Sequence, residues 1–431
     1  MTDEPEATAD LFDEDGEGDG ATVVDTSFWN QPKVPDYPPL AHFGRFEILG
    51  RLARGGMAEV YLAREWDEQG RARHLVVKRI LPEMRNDERL MKMFLDEGNI
   101  ATRLYHQNVC HVYECGEIDG DTFMALEWVW GPSLHTIIER IGGRGSCIPW
   151  PVAVEICAQI AGALHYVHNA KGVGGKALSI VHRDVSPHNV MLSWSGAVKL
   201  LDFGIAKTST ETTTGGATVG KYGYMSPEQA QSQRVDARSD IFSLGVVLFE
   251  ALTGKALYDR PTLLATLTAV VREPVPSLST ERPELPESLD QIVQRALAKD
   301  PAHRFQSAGE LGAALRQMLR SGGHIVSQQR IALFLDGLFK GEEKEPLYSG
   351  SRKLTGSFAA LTEEGALAAL GGSAQFVQFS HDTDDEPRPR TETSAGKRSG
   401  LRTALGYLGF VLLAVIMAAI GAGAAFLLMR L

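Results

Sequence analysis

Apolar positions are spaced in two ways along this chain, and the change falls near residue 130. Before it, the apolar runs are short and are broken by glycine or charge. Phe46–Leu49, Val60–Ala63 and His74–Ile80 read as strands. One stretch in this part, from about Glu88 to Leu104, has helical spacing. Two more strand-like runs follow near Val109–Glu114 and Thr122–Trp128. After Pro132, three-to-four spacing dominates, most plainly in Pro151–Asn169 and Ser239–Leu252. The expected class is α+β, with a small β-rich lobe over 43–130 and a larger helical lobe over 131–340. The packed pattern ends near Phe339.

The flanks differ from this body. Residues 1–40 hold eleven Asp or Glu against one lysine, Lys33, and predict an acidic disordered tail. That tail accounts for most of the formal net charge of −11. The rest is near neutral, which excludes a basic nucleic-acid surface. The N-terminus also lacks the apolar segment of a signal peptide. Residues 341–402, rich in Gly, Ser, Thr, Glu and Pro, predict a flexible linker.

Residues 403–429 carry no charge. As a helix they would span about 39 Å, enough to cross a hydrocarbon core of ~30 Å. A transmembrane helix is therefore expected, and it makes the linker juxtamembrane. Lys397, Arg398 and Arg402 precede it and Arg430 follows, which keeps the bulk of the chain cytoplasmic. Small residues four apart, Ala418 with Ala422 and Gly421 with Ala425, fit close helix packing in a homodimer. Four cysteines are too few for a disulfide framework. Cys110, His111 and Cys115 lack a second metal-type pair, so reduced thiols are expected.

Several stretches carry chemistry. In "HLVVKRI", Lys78 ends an apolar strand and needs a charge partner, and Glu97 lies nineteen residues on in a predicted helix. Asp96 falls about 100° round that helix, which favours Glu97. "HRDVSPHNVML" (182–192) contains Asp184 and Asn189, and "LLDFG" contains Asp202 with Phe203 beside it. Anionic and polar oxygens converging on one point call for a cation between them. "RLARGGMAEVYLA" (51–63) is a glycine-bearing turn between strands.

In this order and at this spacing, residues 43 to about 320 resemble a eukaryotic-like bacterial serine/threonine protein kinase. The resemblance implies the two-lobed kinase fold, with ATP and Mg²⁺ (Mn²⁺ as an alternative) as cofactors. It implies that Asp184 accepts the proton of a substrate hydroxyl, and that Asn189 and Asp202 bind the metal. Lys78, oriented by Glu97, would hold the α- and β-phosphates. Leu52, Ala53, Arg54, Gly55, Gly56, Met57 and Ala58 would cover the phosphates, with alanine replacing glycine at 53 and 58. Val60, Val76 and Met191 would enclose adenine, and the backbone of Glu127 and Val129 would meet its edge. Glu228 with Arg304 would form a buried pair. Asp240 would cap the central helix and hold the catalytic-loop backbone. Arg183 would meet a phosphorylated residue among Thr208, Thr210, Thr212, Thr213, Thr214 and Thr218.

Two departures stand out. The family's catalytic-loop lysine is Ser186 here, and the threonine of the facing segment is Lys221. The charge is predicted to have moved across the cleft, with Lys221 acting in catalysis and Ser186 taking the hydroxyl's place. Missing the loop lysine is also compatible with a tyrosine or dual-specificity kinase, or with a pseudokinase scaffold. The expected setting is single-pass in the bacterial cytoplasmic (inner) membrane, with protein substrates and no nucleic acid.

Overall fold

The computed structural model describes residues 38–202, 219–342 and 344. Its first part is a six-stranded antiparallel sheet. The strands are β1 (Ala41–Phe43), β2 (Phe46–Arg54), β3 (Ala58–Trp66), β4 (Ala72–Ile80), β5 (Val112–Ile118) and β6 (Asp121–Glu127). Their spatial order is β1-β2-β3-β4-β6-β5. The sequence pattern stops the first long strand at Leu49, but β2 continues to Arg54. Gly50 sits at a register shift between Ile48 and Gly50, so the strand bends without ending.

Alternation along β4 sorts the two faces. Leu75 and Val77 join Phe43, Phe46, Phe123 and Ala125 in an outer cluster. Val76 and Lys78 point the other way. Val60 pairs across from Lys78, and Leu126 across from Val76, so one surface carries all four. Helix α1 (Glu88–Ala101) is capped by the Asp87 side chain, which accepts from the Leu90 N–H. A Cβ at Gly98 would lie 2.7 Å from Cys115 Cβ, so glycine is what lets α1 sit against β5.

The helical part holds α2 (Leu134–Gly142), α3 (Trp150–His168), the hairpin β7 (Val190–Leu192) with β8 (Val198–Leu200), and α4 (Pro227–Ala230). Then follow α5 (Ala237–Thr253), α6 (Leu263–Arg272), α7 (Leu278–Glu281), α8 (Glu287–Ala296), α9 (Ala308–Ser321) and α10 (Gln328–Leu338). Every residue of α5 from Ser239 to Thr253 is buried, so its apolar spacing marks a central helix rather than one face. It starts at Asp236, whose side chain accepts from the Arg238 N–H, and stops at Gly254, which is left-handed at φ 68°. The capping role expected of Asp240 therefore belongs to Asp236, because Asp240 lies one turn inside the helix. The acidic tail, the linker and the apolar run 403–429 lie outside the described residues. Among the described residues no helix is long and apolar enough to cross a membrane.

Candidate active site

The loop 182–189 runs between α3 and β7 and is held from below by α5. The Asp240 carboxylate, fully buried, accepts the N–H groups of His182 and Arg183 at 2.8 Å each. It also shares a 2.7 Å hydrogen bond with His168 Nε2. Arg183 has φ 64°, a left-handed conformation that an arginine keeps only when its surroundings enforce it. From the other side, Gln229 Nε2 donates to the Arg183 carbonyl at 3.0 Å. Gln229 is placed by Ser226, which caps α4 in a reciprocal capping box with it. Neither residue was singled out in the sequence for this task. The S-x-x-Q spacing was the available signal.

Asn189 Nδ2 donates to Asp184 twice, to Oδ2 at 3.0 Å and to the backbone carbonyl at 2.7 Å. The β7–β8 hairpin starts at one end beside Asn189 and delivers Asp202 just past the other. The Leu201 N–H closes the gap onto the Asn189 carbonyl at 2.8 Å. Asp202, at φ 42°, puts Oδ1 3.1 Å from Lys78 Nζ. Burial works to lower the Lys78 pKa. The charges of Asp202 and Glu97, with Asp184 beyond, outweigh it and raise the pKa. Glu97 is half-buried while Asp96 is exposed. Strand β4, helix α1, the loop and the hairpin end thus bring Lys78, Glu97, Asp184, Asn189 and Asp202 into one cleft. Asn189 Oδ1 and Asp202 Oδ2 are the oxygens left over, and such hard donors suit Mg²⁺ or Mn²⁺.

The β2–β3 turn is closed by the Gly55 N–H on the Ala58 carbonyl at 2.8 Å. Arg54, Gly55, Gly56 and Met57 are exposed, Ala53 is half-buried and Ala58 is buried. Arg54 is ion-paired with Glu83 at 2.7 Å, and Leu52 packs against Leu49 and Leu62. Val60, Val76 and Met191 are half-buried. At the hinge, part of the backbone is still engaged in the sheet. The Glu127 N–H is already donated to the His111 carbonyl at 2.8 Å, because β6 is still paired at its last residue. Its carboxylate holds Lys199 at 2.8 Å. The Glu127 carbonyl accepts from the Cys110 thiol at 3.5 Å and keeps a second lone pair, and Val129 beyond it is buried.

Ser186 is 1% exposed and its Oγ has no hydrogen-bond partner among the described residues. The expected meeting of that hydroxyl with Lys221 is not made. Lys221, on a short 3-10 turn at Val219–Tyr224, instead acts on His188. Burial first, then His135 and Lys221, push the His188 imidazole down to about 3. The His135 and His188 rings lie 3.9 Å apart, a pairing that no spacing in the sequence announced. Glu228 and Arg304 form a buried two-point ion pair at 2.8 and 2.9 Å. Burial raises the Glu228 pKa, but hydrogen bonds from Arg304 and Ser239 outweigh it and lower the pKa. All four cysteines are free. Phe203, Thr208, Thr210, Thr212, Thr213, Thr214 and Thr218 lie outside the described residues.

A sheet lobe and a helical lobe sharing a cleft with a lysine, a helix glutamate and paired metal-type oxygens define a phosphate-handling class. Residues 46–314, more than half of the chain, match the family described as "Protein kinase domain", and the chain belongs to that family. It is similar to the Tyrosine-protein kinase MasK of Myxococcus xanthus, 36% identical over 339 residues, covering 78% of this chain and 52% of that protein. It is also similar to the Serine/threonine-protein kinase PrkC of Bacillus subtilis, 34% identical over 275 residues, covering 63% of this chain and 40% of that protein. The chain thus spans about half or less of these relatives. Among solved structures, the kinase domain of PknI from Mycobacterium tuberculosis matches at a TM-score of 0.50 and 29% identity, over 65% of this chain and 98% of that one.

Proposed function

We propose that this chain is an active bacterial protein kinase. It transfers the γ-phosphoryl group of ATP to serine or threonine of proteins and is held at the cytoplasmic membrane by residues 403–429. The observation that carries the reading is the approach of Lys78 to Asp202 at 3.1 Å, in a cleft that also gathers Asp184 and Asn189. Asp184 accepts the proton of the substrate hydroxyl as its oxygen attacks phosphorus, and ADP leaves. Lys78 holds the α- and β-phosphates, and Glu97 keeps it aimed. Asn189 and Asp202 would hold the divalent ion, which when bound neutralises phosphate charge. Lys221 adds positive charge from the segment facing the loop, and Thr208–Thr218 are sites of autophosphorylation.

Serine/threonine specificity is supported by relatives named so, including PrkC, PknD and PknH. A second reading, tyrosine or dual specificity, is favoured by the likeness to a protein named as a tyrosine kinase and by Ser186 in place of a lysine. The pseudokinase reading is opposed by the retention of all five cleft residues.

The test is full-length protein in detergent micelles with Mg²⁺–ATP, with Asp184→Asn as control, followed by phosphoamino-acid analysis. Phosphoserine or phosphothreonine above the control supports the proposal, and phosphotyrosine supports the second reading. Incorporation equal to Asp184→Asn leaves only a scaffold. Lys221→Ala should lose far more activity than Ser186→Ala, and the exchanged pair should regain part of it. A fully active Lys221→Ala would remove Lys221 from the mechanism. Phosphopeptide mapping that finds 208–218 bare would remove those sites.

A further inference from the structure

Beyond residue 314, where the family match ends, the chain turns back toward the hinge. Ile331, Leu335, Leu338 and Phe339 are buried in the main core, so α10 is part of the folded body. Its first turn lies backbone-to-backbone on the turn between β7 and β8. A Cβ at Gly196 would stand 2.0 Å from the Gln328 carbonyl oxygen, and Gln328 Nε2 donates to the Ser195 carbonyl at 3.2 Å. Past α10, Arg144 donates to the Leu338 carbonyl at 2.7 Å, and Phe339 meets Trp194 edge-on at 5.2 Å. The path ends on Trp130, whose Nε1–H donates to the Lys344 carbonyl at 3.0 Å. The Lys344 ammonium sits 5.1 Å over the Trp194 ring and pairs with Asp336.

Trp130 lies three residues past the end of β6. Its ring stacks on Trp128 at 5.9 Å, and Trp128 packs on the Leu49–Leu62 cluster, against which Leu52 of the phosphate loop also packs. Val129 lies between the two tryptophans in sequence and is buried. The Trp130 carbonyl accepts the Trp194 N–H at 3.0 Å, so the hinge is tied to the β7–β8 hairpin as well. The contact is specific in chemistry: an indole N–H needs an acceptor when half-buried, and a backbone carbonyl supplies it.

We infer that Ser327–Lys344 is a strap whose end sets the position of the hinge for the nucleotide base, with Trp130 as the positioning residue. This rests on the reading above, that the hinge receives ATP.

The experiment is calorimetric titration of Mg²⁺–ATP into the full-length protein in detergent micelles, with steady-state kinetics on the same samples. The variants are Trp130→Phe, which keeps the ring and loses the donor, Lys344→Ala, which frees the strap end, and the double variant. Leu333→Ala, on the exposed outer face of α10, is the control. Each single variant should weaken ATP binding about threefold to tenfold, the size of one hydrogen bond in a half-buried site. KM for ATP should rise with kcat unchanged at saturating ATP, and the melting temperature should stay that of the control. The double variant should be no weaker than the worse single, because both act through one contact. Wild-type affinity in both single variants overturns the inference, as does a loss confined to kcat or a multiplicative double. Absence of ATP binding in the wild type would sink the kinase reading and the strap together, a result unlike intact binding that ignores the variants.

Discussion

Asp240→Asn is the sharpest probe of how the catalytic loop is built. The substitution keeps the side chain's size and removes its charge. In the native protein one buried carboxylate accepts two backbone N–H groups at 2.8 Å and shares a third hydrogen bond with His168 at 2.7 Å. An amide offers a single oxygen, and its NH₂ must face a donor. One buried N–H then loses its partner at about 1–3 kcal/mol, and the remaining bond loses its charge assistance, about 1 kcal/mol more. The sum, about 2–4 kcal/mol, is a large part of a typical stability of roughly 5–15 kcal/mol. The released residues include Arg183 at φ 64°, which then relaxes toward ordinary backbone and carries Asp184 with it. A displacement of about 1 Å costs on the order of a hundredfold in rate. The assay is thermal unfolding together with initial rates at saturating ATP. The expected outcome is a melting temperature lower by about 5–10 °C for a domain of this size, and kcat reduced about a hundredfold at temperatures where the variant is folded. A variant within twofold of wild type in kcat and unshifted in melting would refute this account of the loop.

Gly98→Val should force α1 off β5, since even a Cβ would meet Cys115 at 2.7 Å. Because Glu97 is the neighbour, KM for ATP should rise severalfold alongside a loss of about 1–3 kcal/mol in urea unfolding. Arg304→Leu leaves Glu228 buried without its partner and should cost about 3–5 kcal/mol at pH 7. The depressed Glu228 pKa contributes stability above the ordinary carboxylate value and loses it as pH falls through the native value. The gap between wild type and Arg304→Leu in urea midpoint should therefore narrow below about pH 4. Burial pushes the Cys157 thiol up to about 12 and that of Cys110 well above its usual range, so iodoacetamide at pH 8 should label neither until the protein is unfolded.

What the sequence shows best is what depends on short range. Strand alternation put Lys78 on the cleft face, and helical phase chose Glu97 over Asp96. Features set by contact between distant segments were hidden. The resemblance did give Asp240 its hold on the catalytic-loop backbone, 57 and 58 positions earlier, but not that the helix cap is Asp236. The pairing of the Glu127 N–H with the His111 carbonyl was hidden too, because nothing local shows that β6 is still paired there. The strap joins Trp130 to Lys344 across 214 residues, and neither residue belongs to a motif. Such contacts follow from how finished elements pack, and no spacing encodes them.

The loop residue that looked most like damage gains a different meaning from its surroundings. Several polar groups of this loop have partners: Asn189 Nδ2 on Asp184, and the N–H groups of His182 and Arg183 on Asp240. The buried Ser186 hydroxyl has none among the described residues. A hydroxyl that served only to fill space would cost about 1–3 kcal/mol in that position, and alanine would fill it as well. Two residues from Asp184, a phosphate oxygen or a substrate hydroxyl would relieve this cost under the proposed function. In the proposed function Lys221, whose charge already acts on the neighbouring His188, would supply the cation that the loop itself does not. On that proposal, substitution at 186 would divide one lysine's task between a hydroxyl in the loop and an ammonium on the facing segment.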